Sequence, residues 1–130
     1  MALLVAVYLV LVGLMLGSFI NLAADRLPRQ ESVVSPRSHC RSCGRTLNVV
    51  DLLPVMGYVV RGGRCATCKA PIGMSAPLVE LVAGACLVAG IAWQGLWPGA
   101  LVGFGLVALW GLIVIASAAM RFRASGERLP

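Results

Sequence analysis

Long apolar segments alternate with polar stretches along this chain of 130 residues. Residues 2–24, 77–93 and 100–120 form apolar segments, and Glu80 is the only charged residue within them. A helix needs about 20 apolar residues to cross a lipid bilayer, with a usable range of roughly 17 to 25. The pattern therefore predicts an all-α membrane protein with three transmembrane helices, whose first partner is the lipid bilayer. The first segment lacks the basic residues that precede a cleaved signal peptide, so we expect it to remain as a helix.

Composition agrees with this class, because 59% of the residues are hydrophobic and only 12% are charged. A soluble domain carries a charged share of about 25%. The predicted division is a first transmembrane helix at 1–24, a polar loop at 25–75, a second transmembrane helix at 76–94, a third at 99–120, and a tail at 121–130.

The positive charges all fall on one side of this arrangement. Eight of the eleven lysines and arginines lie in the loop, three lie in the tail, and none lies at 94–99. Cytoplasmic segments of membrane proteins carry an excess of basic residues. We therefore expect the N-terminus outside, and the loop and the tail in the cytoplasm. Because this orientation accounts for the net charge of +6, the basic balance predicts no nucleic-acid partner.

Two Cys-x-x-Cys pairs lie in the loop and are separated by 21 residues. Two such turns present four sulfurs, a set typical of a tetrahedral zinc site. The predicted ligands are Cys40, Cys43, Cys65 and Cys68. A cytoplasmic loop keeps its thiols reduced, which favours a metal over a disulfide framework. Four thiolates leave no position for water, so the zinc is expected to be structural, and iron of the rubredoxin type is the alternative metal.

Small and polar residues mark one face of the first helix. Gly13, Gly17 and Asn21 recur at every fourth position, so they share that face. Small residues let helices approach closely in lipid, and an amide can hydrogen-bond between them. We therefore expect this face to contact another helix.

Two carboxylates lie beside apolar sequence. Asp51 precedes an apolar run at 52–60 and is predicted to cap a short helix there. The run is too short to span a bilayer, so it packs on the zinc lobe or lies against the membrane surface. Glu80 follows Pro77, and its carboxylate is expected to meet free backbone N–H groups in the first turn of the second transmembrane helix. A contact with a substrate or a partner helix is the alternative role for Glu80.

Four motifs, taken in order, resemble one protein family. They are GSFIN at 17–21 followed by RLP at 26–28, SPRSHC at 35–40, DLLPV at 51–55 with Tyr58, and PLVEL at 77–81 with Gly84. The family is the N-terminal domain of the type IV prepilin peptidases, also called prepilin leader peptidase/N-methyltransferases. The similarity covers about residues 13–90 of the sequence.

The resemblance implies a bifunctional enzyme of the bacterial inner membrane. Such an enzyme removes the leader of pilin-like precursors, which serve the type IV pilus and type II secretion, and then methylates the new N-terminus. S-adenosylmethionine as methyl donor and prepilin-like proteins as substrates are expected here from the resemblance alone.

The chain also departs from the family pattern. Arg41 stands where the family usually has proline, and Ser75-Ala76 replaces an Arg-Tyr pair. The Gly-x-Gly-Asp motif and the aspartate pair of the peptidase do not occur in the sequence, so no catalytic residue is predicted. We expect no proteolysis by this chain alone and a separately encoded peptidase half as partner. The alternative is a non-enzymatic, membrane-anchored zinc-ribbon adaptor.

Overall fold

The structure is a computed structural model that describes residues 1–126. The helices are α1 (Ala2–Arg26), α2 (Val49–Leu52), α3 (Met56–Val60), α4 (Ser75–Gln94) and α5 (Leu96–Ala124). A single 3₁₀ turn at Leu27–Arg29 follows α1, and the described part of the chain forms no strand. Residues 127–130 of the predicted tail lie outside the described residues.

Helices α1, α4 and α5 are each long and apolar enough to cross a membrane. The cysteine loop lies between α1 and α4, as the sequence predicts. An all-α membrane fold with three candidate spans and a four-cysteine loop after the first span is therefore confirmed.

The connection between the second and third spans is shorter than residues 95–98, which the predicted division leaves between them. Gly95 alone separates α4 from α5, and its φ of 81° is one that glycine adopts without strain. Pro98 lies in the first turn of α5, where a missing backbone N–H breaks no helical hydrogen bond. The residues after Gly95 therefore continue into the third span.

Close backbone contacts hold the three long helices together. A Cβ added at Gly17 of α1 would lie 2.7 Å from the Cα of Glu80 in α4. A Cβ added at Gly99 of α5 would collide with the backbone of Gly90 in α4. Helix α4 thus packs on both neighbours through glycine, as small residues allow in lipid. The buried side chains of the core between the helices are Ile20, Val79, Ala83, Leu87 and Val107.

Replacing Gly17 by alanine is expected to weaken the contact between α1 and α4, because the new methyl group meets the backbone of Glu80 at 2.7 Å. Overpacking of this kind costs about 1 to 3 kcal/mol. Gly105→Ala is the matched control, since Gly105 is a helical glycine of α5 with open space around its Cβ position. Thermal unfolding in detergent should give a lower midpoint for Gly17→Ala and an unchanged or higher midpoint for Gly105→Ala. Equal midpoints for the two variants would contradict this packing.

Candidate metal centre beside the helix bundle

The two Cys-x-x-Cys segments fold into similar turns. In the first turn the Cys40 N–H donates to the carbonyl of Arg45 at 2.9 Å, and in the second the Cys65 N–H donates to the carbonyl of Ala70 at 2.9 Å. Each turn is flanked by one isolated antiparallel bridge. The spacing from Cys40 to Arg45 equals that from Cys65 to Ala70, so the chain uses the same local fold twice to present a sulfur pair.

Both turns pass through a left-handed backbone conformation at the residue after the second cysteine. Gly44 occupies this position in the first turn with φ 72°, and Lys69 occupies it in the second with φ 59°. Glycine adopts such a φ freely, whereas a lysine is strained there. The second turn therefore keeps its shape against a local backbone preference.

The turns bring four sulfurs together. Sγ of Cys40 lies 3.7 Å from Sγ of Cys68, and Sγ of Cys43 lies 3.9 Å from Sγ of Cys65. All four sulfurs lie within 4.8 Å of one another. A disulfide would need about 2.05 Å, whereas four sulfurs around zinc at about 2.3 Å lie roughly 3.8 Å apart. The spacing therefore fits a tetrahedral metal ion and excludes disulfides in this conformation.

Backbone hydrogen bonds prepare part of the cluster for ionisation. They lower the pKa of Cys65 to about 6, chiefly through the N–H of Cys68. The pKa of Cys40 is also lowered, chiefly through the N–H of Cys43. For Cys68 the N–H of Ala70 lowers the pKa, but burial and the neighbouring thiols outweigh it and raise the pKa to about 11. Thiolates, and not thiols, bind a metal ion. A bound cation would offset the electrostatic repulsion between neighbouring thiolates.

Arg45 lies next to this sulfur cluster. Its Nη2 donates to the carboxylate of Asp51 at 2.6 Å. Its Nη1 is buried and has no hydrogen-bond partner among the described residues. Asp51 chiefly, and then Cys65, raise the pKa of the arginine. A four-thiolate zinc site carries net negative charge, so a buried guanidinium N–H beside Cys65 fits a metal-bound cluster.

Asp51 has a different local role from the predicted one. It does not cap a following helix, because it is the third residue of α2, and Asn48 is the N-cap. The Asn48 side chain accepts from the Asp51 N–H at 3.0 Å, and the Asp51 carboxylate accepts from the Asn48 N–H at 3.0 Å. This capping box fixes the start of α2 at Val49, and α2 ends at Leu52, before Pro54.

The Asp51 carboxylate also joins the two cysteine turns. Arg45 follows the first turn and Arg61 precedes the second, and each donates to Asp51 at 2.6 Å. The Asp51 side chain is only 7% exposed. Burial alone raises the pKa of Asp51, but the Asn48 N–H and the two arginines outweigh it and hold the pKa below its ordinary value. The carboxylate is therefore charged and fully engaged.

Glu80 connects the loop to the bundle. Its carboxylate accepts from the Val55 N–H at 2.5 Å, and the residue is 8% exposed. The expected acceptor role is present, but the donor is in the loop and not in the first turn of α4, because α4 begins at Ser75 and Glu80 lies beyond that turn. Val55 has a φ of 58°, which is unusual for a β-branched residue. The Glu80 contact therefore holds Val55 in a conformation that the local sequence does not favour.

Arg26 ties the start of the loop to the end of α1, and the sequence did not indicate this role. Its guanidinium donates to the carbonyls of Ser32 at 2.8 Å and Pro36 at 2.9 Å. Arg26 is 4% exposed, so these hydrogen bonds satisfy a buried cation.

Arg41, at the position where the family usually has proline, makes a second contact with the end of α1. Its guanidinium donates to the carboxylates of Asp25 at 2.6 Å and Glu31 at 3.0 Å. Glu31 chiefly, and then Asp25, raise the pKa of Arg41, and the arginine in turn lowers the pKa of Glu31. These groups are exposed, so we expect a modest energy from this cluster.

A cavity of about 420 Å³ lies between the cysteine turns and the ends of α1 and α4. Asn21, Asp51 and Glu80 all line it, as do Cys40 and Cys65. Gly17 does not line it, because Gly17 is buried in the contact with α4. Five arginines also line this cavity, and they are Arg26, Arg41, Arg45, Arg61 and Arg64. The carboxylates of Asp25, Asp51 and Glu80 line it as well, so arginines are in excess, and most of the predicted residues meet around this basic cavity.

Asp51→Asn is expected to loosen both cysteine turns, because the variant removes the charge that Arg45 and Arg61 share. Losing such a buried ion pair costs about 2 kcal/mol. Glu31→Gln is the control, since Glu31 pairs with an arginine at an exposed site. Hydrogen exchange at neutral pH should rise at residues 45–61 in Asp51→Asn and change little there in Glu31→Gln. Equal protection of this segment in both variants would contradict the role of Asp51.

The stabilisation of the fold by the charged Asp51 carboxylate should also be lost in acid. Its pKa in the folded chain lies below the ordinary value of 3.8, so the stabilisation is complete above that value and fades as the pH falls through the folded pKa. The unfolding midpoint of the wild type should therefore exceed that of Asp51→Asn at neutral pH. The two midpoints should converge well below pH 3.8. A difference that persists in strong acid would show that the variant acts through packing and not through charge.

The chain is similar to several characterised proteins over part of their length. A prepilin leader peptidase/N-methyltransferase of Myxococcus xanthus is 41% identical over 86 residues, which cover 63% of this chain and 26% of the relative. The enzyme of the same name from Burkholderia pseudomallei is 33% identical over 126 residues, covering 78% of this chain and 41% of the relative. The enzyme of the same name from Klebsiella pneumoniae is 33% identical over 116 residues, which cover 85% of this chain and 50% of the relative. No solved structure matches the chain.

The chain therefore spans between about a quarter and a half of the length of these relatives. A family model described as the bacterial peptidase A24 N-terminal domain matches residues 11–94, which include α1 from Leu11 onward, the cysteine loop and α4. The resemblance predicted from the four motifs is confirmed by this match. The chain belongs to the bacterial peptidase A24 N-terminal domain family.

Proposed function

We propose that the four cysteines bind one structural zinc ion. The observation that carries this proposal is the mutual distance of the four sulfurs, all within 4.8 Å. Four thiolate ligands fill a tetrahedral shell, so the ion has no open position for a catalytic water. Its contribution would be folding free energy, on the order of 10 kcal/mol for sites of this kind.

Elemental analysis of the purified chain is expected to find a single zinc ion per chain, and Cys65→Ser should lose most of it. Cys86→Ser is the matched control, because Cys86 lies in α4, away from the four-sulfur cluster. The control should retain the metal. A wild-type chain without bound metal, or equal metal content in the two variants, would refute the site. Red protein that contains iron in place of zinc would support the four-cysteine site but would identify iron as its metal.

We propose that the chain serves in the processing and N-methylation of prepilin-like precursors, as the names of its relatives suggest. Aspartic proteolysis needs two carboxylates that share one proton. Asp25 and Asp51 are held by different arginines, so neither is placed to form such a pair with the other. The catalytic aspartates would therefore come from a separate peptidase half, to which this chain supplies the membrane anchor and the metal lobe.

For the methyl-transfer step, the basic cavity is the proposed site of the methyl donor. Its volume of about 420 Å³ lies in the range of small-molecule sites. S-adenosylmethionine carries a carboxylate, which the arginines that line the cavity would attract. The chain's part would be to bind and orient the donor at the membrane boundary.

The proposed location is the bacterial inner membrane, with the cysteine loop and the tail in the cytoplasm. Arginines of the loop and the basic residues in the last turn of α5 support this orientation. The leader of a prepilin-like substrate would then meet the lobe at the inner surface of the membrane.

A cleavage assay on a prepilin-like precursor tests the division of labour. The chain alone is expected to remove no leader, because its carboxylates are separately paired. Co-expression with a membrane partner that carries an aspartate pair, one of them in Gly-x-Gly-Asp, should restore cleavage. Cys40→Ser should reduce this restored activity, and Cys86→Ser should not.

Two outcomes would overturn the proposal. Leader removal by the isolated chain that is lost in Asp51→Ala would place the catalysis here. Cleavage by the partner that is indifferent to this chain would favour the adaptor alternative.

A further inference from the structure

The segment 49–60 carries a row of exposed aliphatic side chains. They are Val49, Val50, Leu52, Leu53, Met56, Val59 and Val60. Val49, Val50 and Leu52 belong to α2 and Met56, Val59 and Val60 to α3, with Leu53 in the break between the two helices. Met56, Val59 and Val60 of α3 are 56%, 62% and 59% exposed. A continuous apolar row of this kind marks an interaction surface, whereas single exposed apolar residues do not.

The other side of this segment faces the cysteine lobe. Asp51 is bound by Arg45 and Arg61, and Gly57 lies so close to Asp51 that an added Cβ would be 2.7 Å from its carbonyl oxygen. Tyr58 lies against Gly63 at the second cysteine turn. Leu52 and Leu53 line the cavity beside the lobe, whereas Met56, Val59 and Val60 of α3 do not line it and stay exposed.

The packing of α1 on α4 sets the depth of the segment. A Cβ added at Gly84 would lie 2.7 Å from the Leu14 side chain, and both residues are at the middle of their helices. The two helices therefore meet near the centre of the bilayer. Glu80 is four residues from Gly84 towards the loop, a rise of about 6 Å. Half of the hydrocarbon core is about 15 Å thick, so Glu80 lies inside it.

The Val55 amide is bound to Glu80 and is therefore at a similar depth. The glutamate side chain adds at most about 5 Å, which still leaves the amide inside the hydrocarbon half-thickness. Leu78 and Leu81 of α4, on either side of Glu80 in sequence, are exposed like the rest of the lipid-facing surface.

The backbone of the segment suits a medium without water. The N–H of Val55 has the Glu80 carboxylate, the N–H of Gly57 has the Leu53 carbonyl at 2.9 Å, and the N–H of Val59 has the Val55 carbonyl at 3.1 Å. Pro54 has no N–H to satisfy. Non-helical backbone is tolerated at membrane depth only when its polar groups are paired in this way. No charged residue lies between Asp51 and Arg61, so the exposed face offers a protein partner no ionic contact.

We propose that residues 49–60 form a re-entrant element whose Met56–Val60 face inserts among the lipid acyl chains of the leaflet on the loop side. The inference does not depend on the metal or on peptidase activity. It assigns the buried Glu80 carboxylate a physical purpose, since Glu80 satisfies the Val55 amide that precedes the inserted face.

Photo-crosslinking in membranes tests the proposal. The full chain is expressed with p-benzoylphenylalanine in place of Val59, irradiated in intact bacterial membranes, and examined by mass spectrometry for adducts. Matched positions are Leu109, which is exposed in the middle of α5, and Thr67, which is exposed in the second cysteine turn. We expect phospholipid adducts at position 59 in a yield comparable with position 109 and several-fold above position 67.

The same substitution at Met56 serves as a second variant if position 59 disturbs folding. Adducts from 56 and 59 to another polypeptide or to a second copy of the chain would overturn the proposal in favour of a protein partner. A lipid yield no higher than that at Thr67 would overturn it in favour of a water-facing loop.

Discussion

The hydrogen bond from the Val55 amide to the Glu80 carboxylate fixes where the loop lies relative to the membrane helices. A buried carboxylate is costly unless it accepts hydrogen bonds, and this one finds its donor in the loop. The same short segment carries Asp51, whose carboxylate binds Arg45 beside the first cysteine turn and Arg61 before the second. A continuous set of polar contacts therefore runs from α4 through α2 and α3 to the sulfur cluster.

These polar contacts matter because the loop has almost no apolar core. Among the described residues outside the long helices, Cys65 is the only buried hydrophobic side chain. A segment that buries so little apolar surface cannot offset the entropy of ordering its backbone by the hydrophobic effect. Its shape must come from directional contacts, namely the capping box at Asn48, the arginine pairs, and the bonds that an ion held by the four cysteines would make. The proposed metal centre and the buried hydrogen bonds would thus together hold the shape of a loop that lacks an apolar core.

The sequence predicted those features whose physical cause is local. Three spans follow from the length of the apolar segments, and the sulfur set follows from two cysteine pairs, each of which closes within one turn. The features that the sequence did not predict correctly depend on contacts between residues that are distant in the chain. Nothing in the residues around Val55 indicates a positive φ or a bond to Glu80, which is 25 positions away. The prediction that Asp51 caps a following helix is wrong, because the N-cap of α2 is Asn48, three residues earlier, and Asp51 lies inside α2.

The contact that positions the loop is also part of the contact that packs the helices. Gly17 of α1 lies directly against the backbone of Glu80, so the spacing of α1 and α4 sets the position of the carboxylate. The carboxylate in turn sets Val55, and through Asp51 the walls of the basic cavity. A larger residue at position 17 would therefore disturb a site that it does not touch. This linkage explains how a cavity at the membrane boundary can keep a defined shape although one of its walls is a loop. Contacts with the helix pair set the position of the loop, and an apolar core of its own does not.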